Sequence, residues 1–283
     1  MIIKKKHNNF INSLKAQYYL NMGHELNIDN PQKITEKLQW LKIYDNDILK
    51  SICSDKIEVR NYCKNILNED LFLPILKIFN SANDINFNKL PNDIVLKCNH
   101  GSGYNIICKK SDISFNEIYK KISTWLNEKY AVVNKNYELF YNNIKPKAFL
   151  EEYKQINLNY KFFVFNGEPK LCQLIYFNQN GRRFDAFVDM NFKLQPDFLF
   201  VPPVEDKLLY EYYDTLEQYK PFNFNEMISI SKTLSKPFKF VRIDFYEING
   251  KVYLSELTFI PSSGYFNFKN KNTDYILGSW LNI

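Results

Sequence analysis

Glycine is scarce in this chain, 8 in 283 residues, and histidine is scarcer, with only His7, His24 and His100. With so little glycine and no Gly/Ser- or Pro-rich stretch, no flexible linker is expected, and any lobes should pack closely. Three histidines, and five cysteines (Cys53, Cys63, Cys98, Cys108, Cys172) without a Cys-x-x-Cys pair, argue against a zinc site. The odd cysteine total offers no disulfide framework either; it fits reduced thiols and a cytoplasmic setting. No apolar run nears the ~18 residues of a membrane span, and the N-terminus is polar, so neither a span nor a signal peptide is expected. Charge of one sign is also lacking: 37 basic and 31 acidic residues leave +6, interspersed along the chain. That balance suits an anionic ligand but separates it poorly from ordinary solubility. The one dense basic run, Lys4-Lys5-Lys6, reads as a solvated terminus, and no nucleic-acid partner is expected.

What is present is a folding sequence, 45% hydrophobic, with 24 Phe and 20 Tyr. The first ~70 residues read as helical, within a few residues at the boundary. Pro31 precedes a helix expected through 35–43, and Asp55 is placed to cap another through 56–66. From Ile94 the pattern turns to short β-rich runs, 94–97 and 105–108, joined by His100-Gly101-Ser102-Gly103. Residues 116–126 return to helical spacing. Strands are expected at 148–153, 160–165, 170–177 and 183–190, with Asn166-Gly167 as a hairpin turn. Helices follow at 206–218 and 224–235, then strands 238–246 and 252–258 around Asn249-Gly250. Helices first, then strands broken by helices, imply an α+β fold rather than βαβ repetition.

The last hairpin is the richest in chemistry. On its first strand Arg242, Asp244 and Tyr246 share one face, and Val241, Ile243 and Phe245 the other. A two-residue Asn-Gly turn would put Asp244 and Glu256 on opposite sides of the sheet. A three-residue loop Ile248-Asn249-Gly250 would set Glu256 opposite Arg242 and diagonal to Asp244, roughly 7 Å away between α-carbons. The two carboxylates then suit a hard cation, with Arg242 beside them to meet a phosphate. The plainer alternative is a cross-strand Arg242–Glu256 ion pair. Lys97, at a strand end before the Gly/Ser turn, suits a phosphate too, although the segment lacks the Gly-Lys-Ser/Thr of a P-loop and taken alone reads more readily as a plain hairpin turn. Lys56 and Arg60, at i and i+4, and the acidic strand residues Glu151 and Glu152 are weaker signals, each with an ordinary surface explanation.

Their order along the chain is informative. The segments at 30–45 (including Glu36-Lys37-Leu38-Gln39-Trp40-Leu41-Lys42), 54–60, 95–103, 150–153, 160–170, 240–246, 255–258, 261–264 and 277–281 together resemble the ATP-grasp superfamily, most closely its teichuronopeptide-biosynthesis-like branch. The resemblance spans about residues 20 to 283. It implies antiparallel-sheet lobes gripping a nucleotide: a mainly helical region over 1–90, a small lobe with a phosphate flap over 91–152, and a large lobe with the metal-binding hairpin over 153–283. It implies ATP and one or two Mg2+ ions as cofactors. Lys56 and Lys97 resemble the phosphate-gripping lysines, and 99–103, with Ser102 and Gly103, the flap above them. Glu151, Glu152, Tyr153 and Lys154 resemble the hinge strand that reads the adenine edge. Arg242 and Lys97 take catalytic roles, and Asp244, Glu256 and Thr258 hold metal; Thr258 stands where many ATP-grasp enzymes carry Asn. His100, Lys161, Arg182, Arg183, Ser262, Ser263 and Gly264 are implied as substrate contacts.

The implied reaction joins a carboxylic acid to an amine through an acyl phosphate, with a uronic acid of a capsular or other surface polysaccharide as the acid and polysaccharide enzymes as associates. A sugar or polyol kinase, a metal-dependent glycosyltransferase and a binding module that has lost catalysis stay open as alternatives.

Overall fold

The computed structural model describes residues 2–133, 137–177, 183–198 and 216–283. In chain order the helices are α1 (Ile2–Met22), α2 (Ile34–Tyr44), α3 (Ile48–Ser54), α4 (Glu58–Leu67), α5 (Phe115–Asn127), α6 (Tyr130–Val133), α7 (Phe224–Ser235) and α8 (Asn272–Trp280). The strands are β1 (Ile75–Phe79), β2 (Asp93–Cys98), β3 (Asn105–Lys109), β4 (Ala148–Glu151), β5 (Leu158–Phe165), β6 (Glu168–Phe177), β7 (Arg183–Val188), β8 (Phe240–Ile248) and β9 (Lys251–Thr258). The fold is the expected α+β arrangement of antiparallel sheets with N-terminal helices. Of the helix expected over 206–218, residues 206–215 lie outside the described residues, as does Arg182; Leu216–Tyr219 is a 3-10 turn. Among the described residues no helix is long and apolar enough to cross a membrane.

The chain divides into two compact units: residues 1–46, 157–252 and 258–283 form one, and 47–156 with 253–257 the other. The second unit carries a four-stranded sheet in the order β1-β4-β2-β3. Phe79, Ile94, Leu96, Cys98, Ile106, Ala148 and Leu150 fill one of its faces against Ile118 and Ile122 of α5. Helix α5 starts where Ser114 and Glu117 cap each other, the hydroxyl accepting from Glu117 N–H at 3.2 Å and the carboxylate from Ser114 N–H at 2.9 Å. Strand β4 ends at Glu151, short of Tyr153, because the Glu152 N–H leaves the ladder for the Pro74 carbonyl at 2.9 Å. Asp55 caps α4 as expected, accepting from the N–H groups of Ile57 (2.8 Å) and Glu58 (3.2 Å).

The first unit is built on strands β7-β6-β5-β8 and the two ends of β9. The chain's phenylalanines make its core: Phe162 meets Phe245 edge-on at 5.4 Å, Phe165 meets Phe240 at 5.2 Å, and Phe162 reaches Phe224 of α7 at 5.3 Å. Helices α2 and α8 lock together. The Asp274 carboxylate accepts from Thr35 N–H (3.0 Å) and Oγ1 (2.7 Å), and Lys37 Nζ donates to the carbonyls of Gly278 (2.8 Å) and Leu281 (2.7 Å). Gly278 sits inside a helix because any Cβ there would lie 2.0 Å from the Gln32 carbonyl oxygen.

Both Asn-Gly hairpins are two-residue turns. Asn166 (φ 47°) and Gly167 (φ 85°) join β5 to β6, as expected. Asn249 (φ 53°) and Gly250 (φ 72°) join β8 to β9, so the three-residue loop starting at Ile248 is not what forms. Two successive positive φ values match the twist of the flanking strands, which a bulged loop here would not improve. The alternation of β9 nevertheless slips by one. Val252 and Leu254 are buried, Ser255 and Glu256 are both half-buried, and Leu257 and Phe259 are buried again. Thr258 is thereby brought to the Arg242 side, where the guanidinium Nη2 donates to its hydroxyl at 3.2 Å.

Candidate active site

In the first unit the polar centre is Asp244, on the central part of β8, with a side chain only 3% exposed. Arg242, two residues earlier on the same face, grips it with both prongs, Nε to Oδ1 at 2.6 Å and Nη2 to Oδ2 at 2.7 Å. Lys161, directly opposite Asp244 in the β5–β8 ladder, donates to Oδ2 as well. A buried carboxylate between two cations is held in one orientation, because releasing either cation leaves buried charge uncompensated. The polar row continues across the sheet. Gln173, opposite Lys161 and 4% exposed, donates from Nε2 to Asp185 Oδ1 at 2.8 Å. Arg183 grips Asp185 through Nε (2.8 Å) and Nη2 (2.9 Å). Arg183 is therefore placed at the far end of the row that begins at Thr258.

In the second unit Glu151, at the end of β4, divides its oxygens between two cations. Oε2 accepts from Lys97 at 2.5 Å and Oε1 from Arg60 at 2.6 Å. Arg60 also donates to the Leu73 carbonyl (2.5 Å) and lies over the Phe72 ring at 5.0 Å. Burial pulls the Arg60 pKa down, and the Glu151 charge opposes that pull. Lys56 donates to the Gly101 carbonyl at 2.6 Å and lies 3.7 Å from Glu256. The strand end carrying Lys97 is fixed by Asn99, which donates to Asp55 Oδ2 at 2.8 Å while its own Oδ1 accepts from Lys147 N–H at 2.8 Å. Burial raises the Asp55 pKa.

Around the expected flap, Gly101 is required by close packing: a Cβ there would lie 2.6 Å from the Tyr130 ring. Gly103 instead needs its left-handed backbone, at φ 78°. Ser102 is exposed. His100 is 2% exposed and its Nε2 donates to the Trp125 carbonyl at 2.9 Å, a structural position in which burial lowers its pKa. Of the hinge residues, Tyr153 is exposed, and Glu152 pairs with Lys154 at 2.7 Å. Ser262, Ser263 and Gly264 follow β9 and form three consecutive left-handed residues, with φ of 51°, 52° and 74°. Each non-glycine residue in that region costs on the order of 1 kcal/mol, so the turn stores strain.

Sequence reasoning missed Gln173 and Asp185, and assigned no role to Gln39 and Lys42. Periodicity gave each a face of its own element but no partner, since the partners come from strand register or from more than two hundred residues away.

The donors present fit magnesium rather than a caged metal. Among the described residues no group of three or more His, Cys, Asp or Glu gathers to hold an ion. Asp244 and Thr258, both in the first unit, are hard oxygen donors. Magnesium is ordinarily held by one or two carboxylates together with substrate phosphates, which such a sparse set matches.

The chain resembles, among solved structures, D-alanine–D-alanine ligase from Bacillus anthracis, at 18% identity over 75% of this chain and 58% of that one, TM-score 0.40. It also resembles L-amino acid ligase from Bacillus licheniformis (12%, 81% and 49%, TM-score 0.43) and the ATP-grasp ligase PsnB with its minimal precursor (10%, 75% and 53%, TM-score 0.35). The chain thus spans less than two thirds of each of these proteins. No curated protein matches it. The family described as TupA-like ATPgrasp matches residues 36–282, nearly the whole chain, and the chain belongs to that family and so to the ATP-grasp superfamily.

Proposed function

We propose that the chain is an ATP- and magnesium-dependent carboxylate–amine ligase working through an acyl phosphate, and that its acid is a uronic acid of a capsular or other surface polysaccharide. The observation that carries the reading is the buried Arg242–Asp244–Lys161 centre with Thr258 beside it. Solved relatives with ATP, and with Mg and ADP, support the choice of nucleotide and ion.

In this reading Lys56 and Lys97 grip the nucleotide phosphates, and the backbone of Glu151 to Lys154 meets the adenine. Asp244 and Glu256 would hold the metal, with Thr258 as a further oxygen donor. Magnesium, when bound, supplies positive charge to the transferring phosphoryl group. The substrate carboxylate oxygen forms a bond to the γ-phosphorus as the bond to the bridging oxygen breaks, and ADP leaves. The amine nitrogen then attacks the acyl carbon, phosphate departs with the bonding electron pair, and the amine proton is lost to water or base. Arg242 and Lys161 stabilise negative charge on the phosphoryl and acyl oxygens, and positioning with electrostatics is what such chemistry chiefly needs. No protein nucleophile enters.

The test supplies purified protein with MgATP, a uronic acid donor such as UDP-glucuronic acid, and an amine. ADP and phosphate released only when acid and amine are both present support the ligase. A stable phosphorylated product in place of an amide would make the protein a kinase.

A further inference from the structure

The segment Glu36 to Lys42, which carries much of the family resemblance, has no place in the chemistry above. Its carboxylate Glu36 caps α2, accepting from the N–H groups of Gln32 (2.9 Å) and Lys33 (3.1 Å). Gln39 and Lys42, one turn apart on α2, are both buried, Lys42 being 1% exposed. A lysine in the interior is costly unless its ammonium is engaged. Lys42 Nζ donates to the Ser263 carbonyl at 2.8 Å and lies 5.0 Å from the centre of the Tyr265 ring. Gln39 Nε2 donates to the carbonyls of Ser263 and Gly264, both at 3.2 Å, while its Oε1 is buried with no hydrogen-bond partner. Both side chains therefore converge on one object, the left-handed turn at 262–264. Gln39 forgoes half of its own hydrogen bonding to do so.

The direction of the turn follows from peptide planarity. With the Ser263 carbonyl drawn toward α2, the Gly264 N–H of the same peptide faces the opposite way. Ser262 is exposed and Ser263 half-buried on that turn. Gly264 cannot be replaced without disturbing the arrangement, since a Cβ would lie 2.5 Å from Gln39 Nε2 and 3.1 Å from Leu38 Cβ. Strain of this kind persists only where surrounding groups over-determine it, and here two buried donors do.

We propose that Gln39 and Lys42 are positioning residues for the substrate acid: they hold the turn Ser262–Gly264 in the conformation that receives it, without touching nucleotide. The proposal rests on the ligase reading, and its test separates the two. Lys42→Met, Gln39→Met and Lys42→Arg would be compared with the parent protein for thermal stability, MgATP affinity by calorimetry, and the UDP-glucuronic acid concentration giving half-maximal ADP release. The two methionine variants are expected to bind MgATP within about twofold of the parent but to need about tenfold more acid, and Lys42→Arg to recover part of the loss. Two different contacts are probed, so misfolding of one variant leaves the other as a measure. Equal acid requirement in folded methionine variants would overturn the proposal. Parallel loss of MgATP affinity would overturn it also, by making α2 a general scaffold. A parent that binds MgATP but shows no acid-stimulated turnover sinks the substrate turn and leaves nucleotide binding intact. A parent that does not bind MgATP sinks the ligase reading itself.

Discussion

Asp244 and Glu151 are both buried acids between two cations, yet they are built differently. Asp244 is held by the sheet alone: Arg242 shares its strand and Lys161 sits opposite it in the ladder. Glu151 is held across element types, by Lys97 from the neighbouring strand β2 and Arg60 from helix α4. Arg242 spans both Asp244 oxygens, whereas the two Glu151 oxygens go to separate partners. The first arrangement fixes an orientation and the second ties a strand end to a helix. Losing the shared acid should therefore be worse at Asp244.

Asp244→Asn is expected to cost about 3–5 kcal/mol, because two cations are left facing each other in a buried site. It should also lower ADP release by at least about 10³-fold. Glu151→Gln should cost less, about 2 kcal/mol, since Arg60 keeps its bond to Leu73 and Lys97 is closer to water. Urea midpoints of the two variants rank the centres directly, and the reverse order would break the distinction.

Removing one cation from each centre sharpens it. Lys161→Met should lower turnover by about 10²-fold, because in the proposed reaction the charge it supplies acts on the reacting groups. Lys97→Met should raise the dissociation constant for MgATP about tenfold, with a smaller loss of stability since Arg60 still holds Glu151. Calorimetry and initial rates read the two apart.

The smallest effect concerns His100. Burial sets its pKa below the ordinary value, so protonation favours the unfolded chain. Its contribution is complete above about pH 6.5 and is lost as pH falls through the lowered pKa of the folded state. The parent should thus lose more denaturant resistance between pH 7.5 and 5.5 than His100→Gln does. Identical pH dependence would contradict the buried neutral imidazole.

The two Asn-Gly hairpins show how far the sequence could be read. Asn166-Gly167 lies between two apolar runs, and local turn chemistry settled it. At Asn249-Gly250 the same chemistry applies, although only a bulged loop would set Asp244 and Glu256 on one face by simple alternation. The turn is tight, and the alternation slips within β9 itself, at Ser255 and Glu256. A slip inside a strand leaves no turn signature, so periodicity around the loop could not locate it. Helix α7 (224–235) and the strands around His100–Gly103 were legible because short-range periodicity marks them. Lys161 against Asp244 and Lys42 against Ser263 were not, since pairing 83 or 221 residues apart depends on register and packing.

The central claim is that Asp244 belongs to a magnesium–nucleotide site. Titration of ATP into the parent, with magnesium or with a chelator, and into folded Asp244→Asn and Lys97→Met tests it most directly. The account predicts that magnesium strengthens ATP binding at least about tenfold in the parent and in Lys97→Met, and that Asp244→Asn loses this dependence. ATP affinity in the parent that is indifferent to magnesium, or a magnesium effect that survives in Asp244→Asn, would contradict it.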